Sequence, residues 1–257
     1  MKSSLIQLLK NSRFIESLRG DPSYDRTPRP MRDSFYSLVE PDRVPQPQLL
    51  SVSGEMLEEL CLSAPLSQED IDILSGNRIS QARPYASCYG GHQFGHWAGQ
   101  LGDGRAINLG EISGNNQMWE LQLKGSGLTP FSRTADGKAV LRSSVREFLM
   151  SEAMYHLGVP TTRALSLIQT GEAVLRDLLY DGHPAYEPGA IVCRVAPSFL
   201  RFGHFEILAA RDEKENLRQL IDFTIANFFP EIDPQNPKAL VSLFKEVQSR
   251  SIQMVID

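Results

Sequence analysis

The segment between Gly102 and Glu147 contains the residues whose types and order are best suited to chemistry. It opens with the glycine-rich turn LGDGRA, which carries Gly102, Gly104 and Arg105. A turn of this kind lets backbone N–H groups approach phosphates closely, because no side chain stands in the way. Lys124 ends the strand pattern MWELQLK, and Glu147 lies in the helical pattern that follows. Together these features predict a nucleotide-binding module.

The order of turn, strand lysine and helix glutamate is the one in which protein kinases hold nucleotide phosphates. The strand alternates apolar and polar residues, so Lys124 lies on its polar face and is available to a ligand. A plainer interpretation is that the glycines end a hairpin and that Lys124 and Glu147 are solvated surface charges. The turn also lacks the spacing of a Walker P-loop or a Rossmann fingerprint. An ordinary protein kinase is disfavoured, since the sequence contains no HRD-type loop.

Two further pairs of residues are candidates for contact with a nucleotide. Asp136 and Gly137, in the loop TADGK, suit a second phosphate or ribose contact, although Asp-Gly is also a common turn pair. Arg194 and Arg201 flank the segment VAPSFL, and paired arginines suit the forked recognition of a polyphosphate. The alternative is that Arg194 neutralises an acidic surface while the stem of Arg201 lies along apolar neighbours.

A zinc site is the other chemistry that the spacing suggests. Cys88, His92 and His96 are spaced by four residues, which would align three ligands on one face of a helix. The glycines interspersed among them disfavour a regular helix, and no fourth ligand lies nearby. The sequence therefore predicts no metal site here, and the glycines are expected to let the segment pack beneath the nucleotide turn.

The elements that must position these residues predict an α+β domain with an antiparallel sheet. Glu147 belongs to a predicted helix over 144–157, capped by Ser143, stopped by Gly158, and with a core stripe of Val145, Leu149, Ala153 and Leu157. A proline-rich extended arm is predicted over 21–50, a short helix over 54–62, and a helix capped by Ser67 and Asp70. A loop is predicted over 85–104, strands over 105–112, 118–125, 164–169, 172–177 and 190–196, and helices over 215–229 and 237–255.

Composition narrows the class of partner. Of the 257 residues, 41% are hydrophobic and 22% charged, as in ordinary globular proteins, and the net charge of −5 argues against a nucleic-acid partner. The cysteines are far apart and odd in number, which fits a reducing compartment: Cys61, Cys88 and Cys193. No apolar run approaches the roughly 20 residues that a membrane span needs. No membrane partner is therefore expected.

The N-terminal segment 1–21 fits a short docking helix or, alternatively, a mitochondrial presequence. A helical apolar stripe supports the docking helix: Leu5, Ile6, Leu8, Leu9, Phe14 and Leu18. Basic residues support the presequence, while Glu16 and Asp21 count against it: Lys2, Lys10, Arg13 and Arg19. We therefore expect a cytoplasmic location in a bacterium and a mitochondrial one in a eukaryote.

Three long strings together resemble one family: YGGHQFGHWAGQLGDGRA, WELQLKGSGLTPFSRTADGKAVLRSSVREFLMSEAMYHLGVPTTRA and RVAPSFLRFGHFEI. They resemble the selenoprotein O family, known in bacteria as YdiU-type proteins, from about residue 84 to the C-terminus and more faintly through the proline-rich arm. The resemblance implies a protein-kinase-like fold that transfers AMP from ATP to Ser, Thr or Tyr hydroxyls of proteins. It also implies Mg²⁺ or Mn²⁺, UTP use by some members, and a nucleotide flipped relative to ordinary kinases.

The resemblance assigns nucleotide-binding roles to specific positions of this chain: Gly102, Gly104, Arg105, Lys124, Asp136, Gly137, Arg194 and Arg201. Within this set Lys124 is the phosphate-binding lysine, with Glu147 as its ion-pair partner. Arg194 and Arg201 are expected to hold phosphates in the flipped pose.

The resemblance also implies what is not expected within the chain. Family members continue past the equivalent of Asp257 into a histidine-glycine motif, Asn-Thr-Asp-Asn, and a kinase-like Asp-Tyr-Gly or Asp-Phe-Gly segment. Those stretches supply the catalytic base and metal ligands, so no catalytic residue and no metal ligand is assigned here. Two hypotheses follow: the nucleotide-binding portion of a protein adenylyltransferase, or a catalytically inactive ATP-binding or interaction module.

The expected organisation has three parts. Residues 1–83 hold the N-terminal helix, the proline-rich arm and short helices. Residues 84–212 form a kinase-like nucleotide-binding lobe. Residues 213–257 begin a truncated helical second lobe, whose apolar face is expected to be partly uncovered.

Overall fold

The computed structural model describes residues 3–256 and has the predicted α+β composition. Lys2, part of the presequence interpretation, lies outside the described residues, as does Asp257. The helices are α1 (Leu5–Leu8), α2 (Arg13–Ser17), α3 (Gly54–Glu59), α4 (Gln68–Leu74), α5 (Leu141–His156), α6 (Phe202–Ala210), α7 (Lys214–Phe228) and α8 (Ala239–Ile256). The strands are β1 (Gly20–Asp21), β2 (Tyr36–Leu38), β3 (Gln48–Val52), β4 (Tyr85–Ser87), β5 (Gly90–Gln93), β6 (His96–Gln100), β7 (Ala106–Ser113), β8 (Met118–Lys124), β9 (Ala139–Val140), β10 (Arg163–Arg176) and β11 (Ala185–Ala196).

One large sheet organises the molecule, in the order β1-β2-β4-β7-β8-β11-β10-β3, with β9 paired to β11. Its pairings are antiparallel except for β1 with β2. Strand β8 lies between β7 and β11, and Lys124 pairs with Ala106 on one side and Val192 on the other. The lysine therefore lies on an inner strand.

The β7–β8 hairpin forms where the alternation predicts it. Leu121 and Leu123 are fully buried and belong to the largest apolar core cluster. Glu120 and Gln122, on the opposite face, are also buried. Other elements thus cover the middle of this face, and Lys124 remains partly accessible at one end of the strand, as does Met118 at the other.

Helix α5 begins earlier than predicted and has a different N-cap. Its N-cap residue is Val140, and the Ser143 hydroxyl donates a hydrogen bond to the Val140 carbonyl instead of capping the helix. The predicted Ser143 cap is therefore wrong. Gly158 follows the helix with φ of +85°, the left-handed conformation typical of a helix stop.

The predicted core stripe of α5 is wrong except for Val145, which packs partly buried against a core cluster. The buried residues are Ser144, Phe148 and Ser151, whereas Leu149 and Leu157 are exposed. The helix lies against β10 and β11, and two serines on the contacting face allow a close approach that leucines would prevent. With this face of α5 against the sheet, the Glu147 side chain reaches Lys124 at the end of β8.

Three other segments differ from the predictions. The predicted loop over 85–104 contains β4 and the β5–β6 hairpin. Gly90 of this segment packs closely against Gly203 of α6, because a Cβ at Gly203 would lie 1.9 Å from the Gly90 carbonyl oxygen. The predicted arm over 21–50 contributes Asp21 of β1, all of β2 and most of β3 to the sheet. The strands predicted over 164–169 and 172–177 are one strand, β10, which continues through an irregularity at Gly171.

The C-terminal helices α7 and α8 lie close to their predicted positions, and α6 was not predicted. Helix α6 is short and buries Ile207, Leu208 and His204, so it shows little polar alternation. The expected partly uncovered apolar face is present on α8: Leu240, Val241, Phe244, Ile252, Met254, Val255 and Ile256 are exposed. Within residues 3–256, no helix combines the length and apolar character needed to cross a membrane.

Candidate functional site

A basic pocket of about 490 Å³ lies beside the glycine-rich turn and the end of β8. Six of the positions predicted from the sequence line it: Gly102, Gly104, Arg105, Lys124, Arg194 and Arg201. Asp136 and Gly137 line an adjoining cleft, which shares Arg105 with the pocket. The fold therefore brings residues from widely separated parts of the chain to one place.

The lysine and glutamate form a direct contact in the structure. Lys124 Nζ lies 2.5 Å from Glu147 Oε2, and Arg194 Nη1 lies 3.5 Å from Glu147 Oε1. One carboxylate thus holds two pocket cations. Burial lowers the pKa of Lys124, and the hydrogen bond and charge of Glu147 partly offset that effect.

Arg194 is held by a polar relay across three strands. Its guanidinium donates to Gln122 Oε1, Gln122 Nε2 donates to Asn108 Oδ1 (3.2 Å), and Asn108 Nδ2 lies 3.5 Å from Asp103 Oδ2. The Nε atom of Arg194 is buried and has no partner among residues 3–256. A buried, unsatisfied donor in a basic pocket suits an anionic ligand.

The relay from Asp103 to Arg194 was not predicted from the sequence. Asn108 and Gln122 lie on strands whose sequences fit ordinary alternating β-structure, and Arg194 is distant from them in the chain. The one signal was that polar residues stand at central positions of both β7 and β8.

The glycine-rich turn is rigidly held, and its glycines allow a neighbouring segment to approach. Gly102 has φ of +73°, and a Cβ there would lie 2.3 Å from Phe131 Cγ. A Cβ at Gly104 would lie 2.7 Å from the Phe131 carbonyl oxygen. The Thr129 hydroxyl donates to the Asp103 carbonyl (2.7 Å), and the Ser132 hydroxyl donates to the Gly104 carbonyl (2.6 Å).

The expectation that the N–H groups of this turn are free for phosphates is wrong in this conformation. The Gly102 and Asp103 N–H groups donate to the carbonyls of Tyr89 and Ser87, and the Gly104 N–H donates to the Gly102 carbonyl. The cationic side chains, including Arg105 of the turn, are therefore the charged donors that the pocket offers to an anion.

The carboxylate of Asp136 forms an ion pair with a neighbouring arginine. Its carboxylate accepts two hydrogen bonds from Arg176, at 2.7 and 2.9 Å, and one from the Lys138 N–H at 3.0 Å. Burial would raise the pKa of Asp136, but these hydrogen bonds outweigh it and lower the pKa. Asp136 is therefore an ionised carboxylate at the edge of the cleft.

Arg201 is positioned by two aromatic rings. Its guanidinium lies 5.2 Å from the centroid of the Tyr89 ring, and its backbone N–H donates to His204 Nδ1 at 3.0 Å. Burial lowers the pKa of His204 to about 3, so the ring is neutral and can accept this bond. His204 was not predicted as a site residue, although its position three residues after Arg201 is that of a helix-capping partner.

A buried carboxylate anchors the loop between the two arginines. Glu120 Oε2 accepts the Phe199 N–H at 3.0 Å. Its other oxygen and an oxygen of Glu111 each lie 3.3 Å from the Ser12 hydroxyl. Burial, and then the charge of Glu111, raises the pKa of Glu120 to about 8. The structure thus links α2 to the loop that precedes Arg201.

The pocket residues do not fit a divalent metal ion. Asp103 is the one carboxylate among the described residues that line the pocket, and its Oδ2 accepts the Ser87 N–H and hydroxyl. No group of three His, Cys, Asp or Glu that could hold a metal occurs in residues 3–256. Cys88, for example, is buried, and burial raises the pKa of its thiol to about 12.

The fold and site define an α+β protein with a basic pocket built around an inner-strand lysine and a helix glutamate. The family model described as Protein adenylyltransferase SelO matches residues 22–257. The chain belongs to this family of nucleotidyltransferases.

Curated relatives extend the same comparison. The chain is 59% identical over 247 residues to the Protein nucleotidyltransferase YdiU of Nitrosospira multiformis, a match that covers 94% of this chain and 44% of the relative. It is 60% identical over 230 residues to that of Methylobacillus flagellatus, covering 86% and 44%. The protein of Flavobacterium johnsoniae is 52% identical over 249 residues, covering 96% and 48%. The chain spans less than half of the length of these relatives.

Proposed function

We propose that this chain is the nucleotide-binding portion of a protein adenylyltransferase, with the architecture of a protein-kinase N-lobe. The observation that carries the proposal is the contact between Lys124, which lines the basic pocket, and Glu147, which lines an adjoining cleft. Kinases use a lysine on a strand and a glutamate on the packed helix in the same way. The family membership and the positions of Arg194 and Arg201 support the same ligand, ATP, with UTP as the competing nucleotide.

In the proposed reaction a hydroxyl oxygen of a Ser, Thr or Tyr in a protein substrate attacks the α-phosphorus of ATP. The new O–P bond forms as the bond to the bridging oxygen between the α- and β-phosphates breaks. Pyrophosphate leaves, and the hydroxyl proton passes to a base. Negative charge increases on the leaving group, where Lys124, Arg194 and Arg201 would stabilise it. Positioning and electrostatics of this kind supply most of the rate in phosphoryl-type transfers.

The second candidate is a module that binds ATP without transferring AMP. The observation that favours it is that, in the part of the chain that the structure describes, the pocket gathers cations and one occupied carboxylate. Both candidates require nucleotide binding, so binding is the first test and transfer is the second.

The binding test is a calorimetric titration with ATP, AMP and adenosine. We expect ATP to bind with a dissociation constant near 1 mM, roughly −4 kcal/mol, and adenosine to bind far more weakly. Lys214→Ala, an exposed lysine outside the pocket, should match the unmodified chain. The absence of saturable ATP binding up to about 10 mM would refute the proposed function.

A further inference from the structure

Arg133 is a pocket cation to which the family resemblance assigns no role. It lines the basic pocket with Arg105, Lys124, Arg194 and Arg201. Its side chain is exposed at the edge of the cavity.

The partner of Arg133 differs in charge from the partner that Lys124 and Arg194 share. Lys124 and Arg194 share the Glu147 carboxylate. The partner of the Arg133 side chain within residues 3–256 is the neutral amide of Gln93, whose Oε1 lies 3.3 Å from Nη1. A neutral amide does not neutralise the guanidinium charge, so an anion can still pair with it. The hydrogen bond to the amide that is lost in the exchange is weaker than one to a charged partner.

The backbone holds Arg133 in place for such a contact. Its φ of +55° lies in the left-handed region, which is uncommon for a residue with a side chain. The neighbouring Ser132 donates its hydroxyl to the Gly104 carbonyl, and its own carbonyl accepts the Ala135 N–H at 2.9 Å. The position of Arg133 relative to the glycine-rich turn is therefore fixed by hydrogen bonds on both sides.

We infer that Arg133 is a further polyphosphate-binding residue of this pocket, held by Gln93 of the β5–β6 hairpin until an anion replaces the amide. The inference rests on the proposed function and deepens it. Its ligand chemistry is the phosphate chain and not the nucleoside, because a planar guanidinium matches phosphate oxygens in a forked geometry.

Two variants test the inference from different sides. Arg133→Gln removes the charge, and Gln93→Glu places a competing carboxylate beside an intact Arg133. Both side chains are exposed, so the fold should be retained, which thermal unfolding checks. Arg218→Gln is the matched control, since Arg218 is an exposed arginine that pairs with Asp222 on α7 and does not line the pocket.

The probes are inorganic tripolyphosphate, ATP and adenosine, titrated calorimetrically at constant ionic strength. We expect Arg133→Gln and Gln93→Glu to weaken tripolyphosphate and ATP binding about five- to tenfold. Arg218→Gln should change neither by more than about twofold.

The outcomes separate the inference from the proposed function. If Lys124→Ala weakens ATP binding but both Arg133→Gln and Gln93→Glu leave it within twofold, the inference is overturned and the proposed function stands. If Arg218→Gln weakens binding as much as Arg133→Gln, the effect is one of net charge and the inference is again overturned. If the unmodified chain binds neither ATP nor tripolyphosphate, the proposed function and the inference both fall.

Discussion

Lys124 Nζ and Glu147 Oε2 lie 2.5 Å apart, although they come from an inner strand and from a helix that packs against the sheet. The second oxygen of Glu147 lies 3.5 Å from Arg194 Nη1. Glu147 therefore keeps two cations that line the pocket in a fixed relative position. A ligand with several phosphates meets a preformed pair of positive charges.

Glu147→Gln should weaken ATP binding, because the amide cannot hold both cations and they repel each other. We expect a loss of about three- to tenfold, smaller than that caused by removing Lys124 itself. Calorimetry with Glu215→Gln as the control measures this, since Glu215 is exposed on α7. Unchanged affinity in Glu147→Gln would mean that the contact is structural only.

Gly102→Ala should destabilise the chain more than Gly95→Ala. Both glycines have positive φ, at +73° and +79°, but a Cβ at Gly102 would clash with Phe131, whereas a Cβ at Gly95 meets nothing within 4 Å. The control therefore carries the backbone strain of about 1 kcal/mol without the clash. We expect Gly102→Ala to cost about 2 kcal/mol or more in urea unfolding. Equal losses in the two variants would show that the turn can move away from Phe131.

Glu120 should make stability depend on pH between 6.5 and 8. Burial raises its pKa from 4.5 to about 8 in the folded protein, so the folded state binds more protons than the unfolded state in this range. Stability from this group is complete below pH 4.5 and is lost as the pH rises through 8. His204 acts in the opposite direction, but only below its unfolded pKa of 6.5.

Glu120→Gln should therefore flatten the pH dependence above 6.5. The slope removed is at most about 1.4 kcal/mol per pH unit, the value for one proton. Urea unfolding at pH 6.5, 7.2 and 8.0 measures it in both proteins. A wild-type chain that grows more stable from pH 6.5 to 8, with the variant behaving alike, would contradict a protonated Glu120.

The part of the site that could be predicted is the part with a local sequence signal. Lys124 follows from strand alternation, and Glu147 follows from its place in the helical pattern that ends before Gly158. The stripe of α5 was wrong because serines, and not leucines, allow the helix to lie close to the sheet. The glycines over 85–104 indicated a loop, but they serve contacts such as Gly90 with Gly203, which join segments distant in sequence. The relay from Asp103 to Arg194 likewise joins segments distant in sequence, since the order β7-β8-β11 in the sheet brings Asn108, Gln122 and Arg194 together.

We expect no appreciable transfer of labelled AMP to protein by the 257-residue chain, in spite of the ATP binding proposed for it. The physical reason is that the charged residues of the described pocket are cations and one hydrogen-bonded carboxylate, and neither is suited to accept the hydroxyl proton. Incubation with α-labelled ATP and a mixture of acceptor proteins measures transfer. Robust labelling would show that a base lies within the chain, with His92, Asp103 and Asp136 as the residues to replace.

The most direct test of the account is calorimetric titration of ATP into the chain and into Lys124→Ala and Arg194→Ala. Lys214→Ala and Arg218→Ala are the controls, because both residues are exposed and lie outside the pocket. The account predicts that each pocket variant lowers ATP affinity about tenfold or more, while the controls stay within about twofold of the unmodified chain. Unchanged ATP affinity in both pocket variants would contradict the assignment of this pocket to a nucleotide.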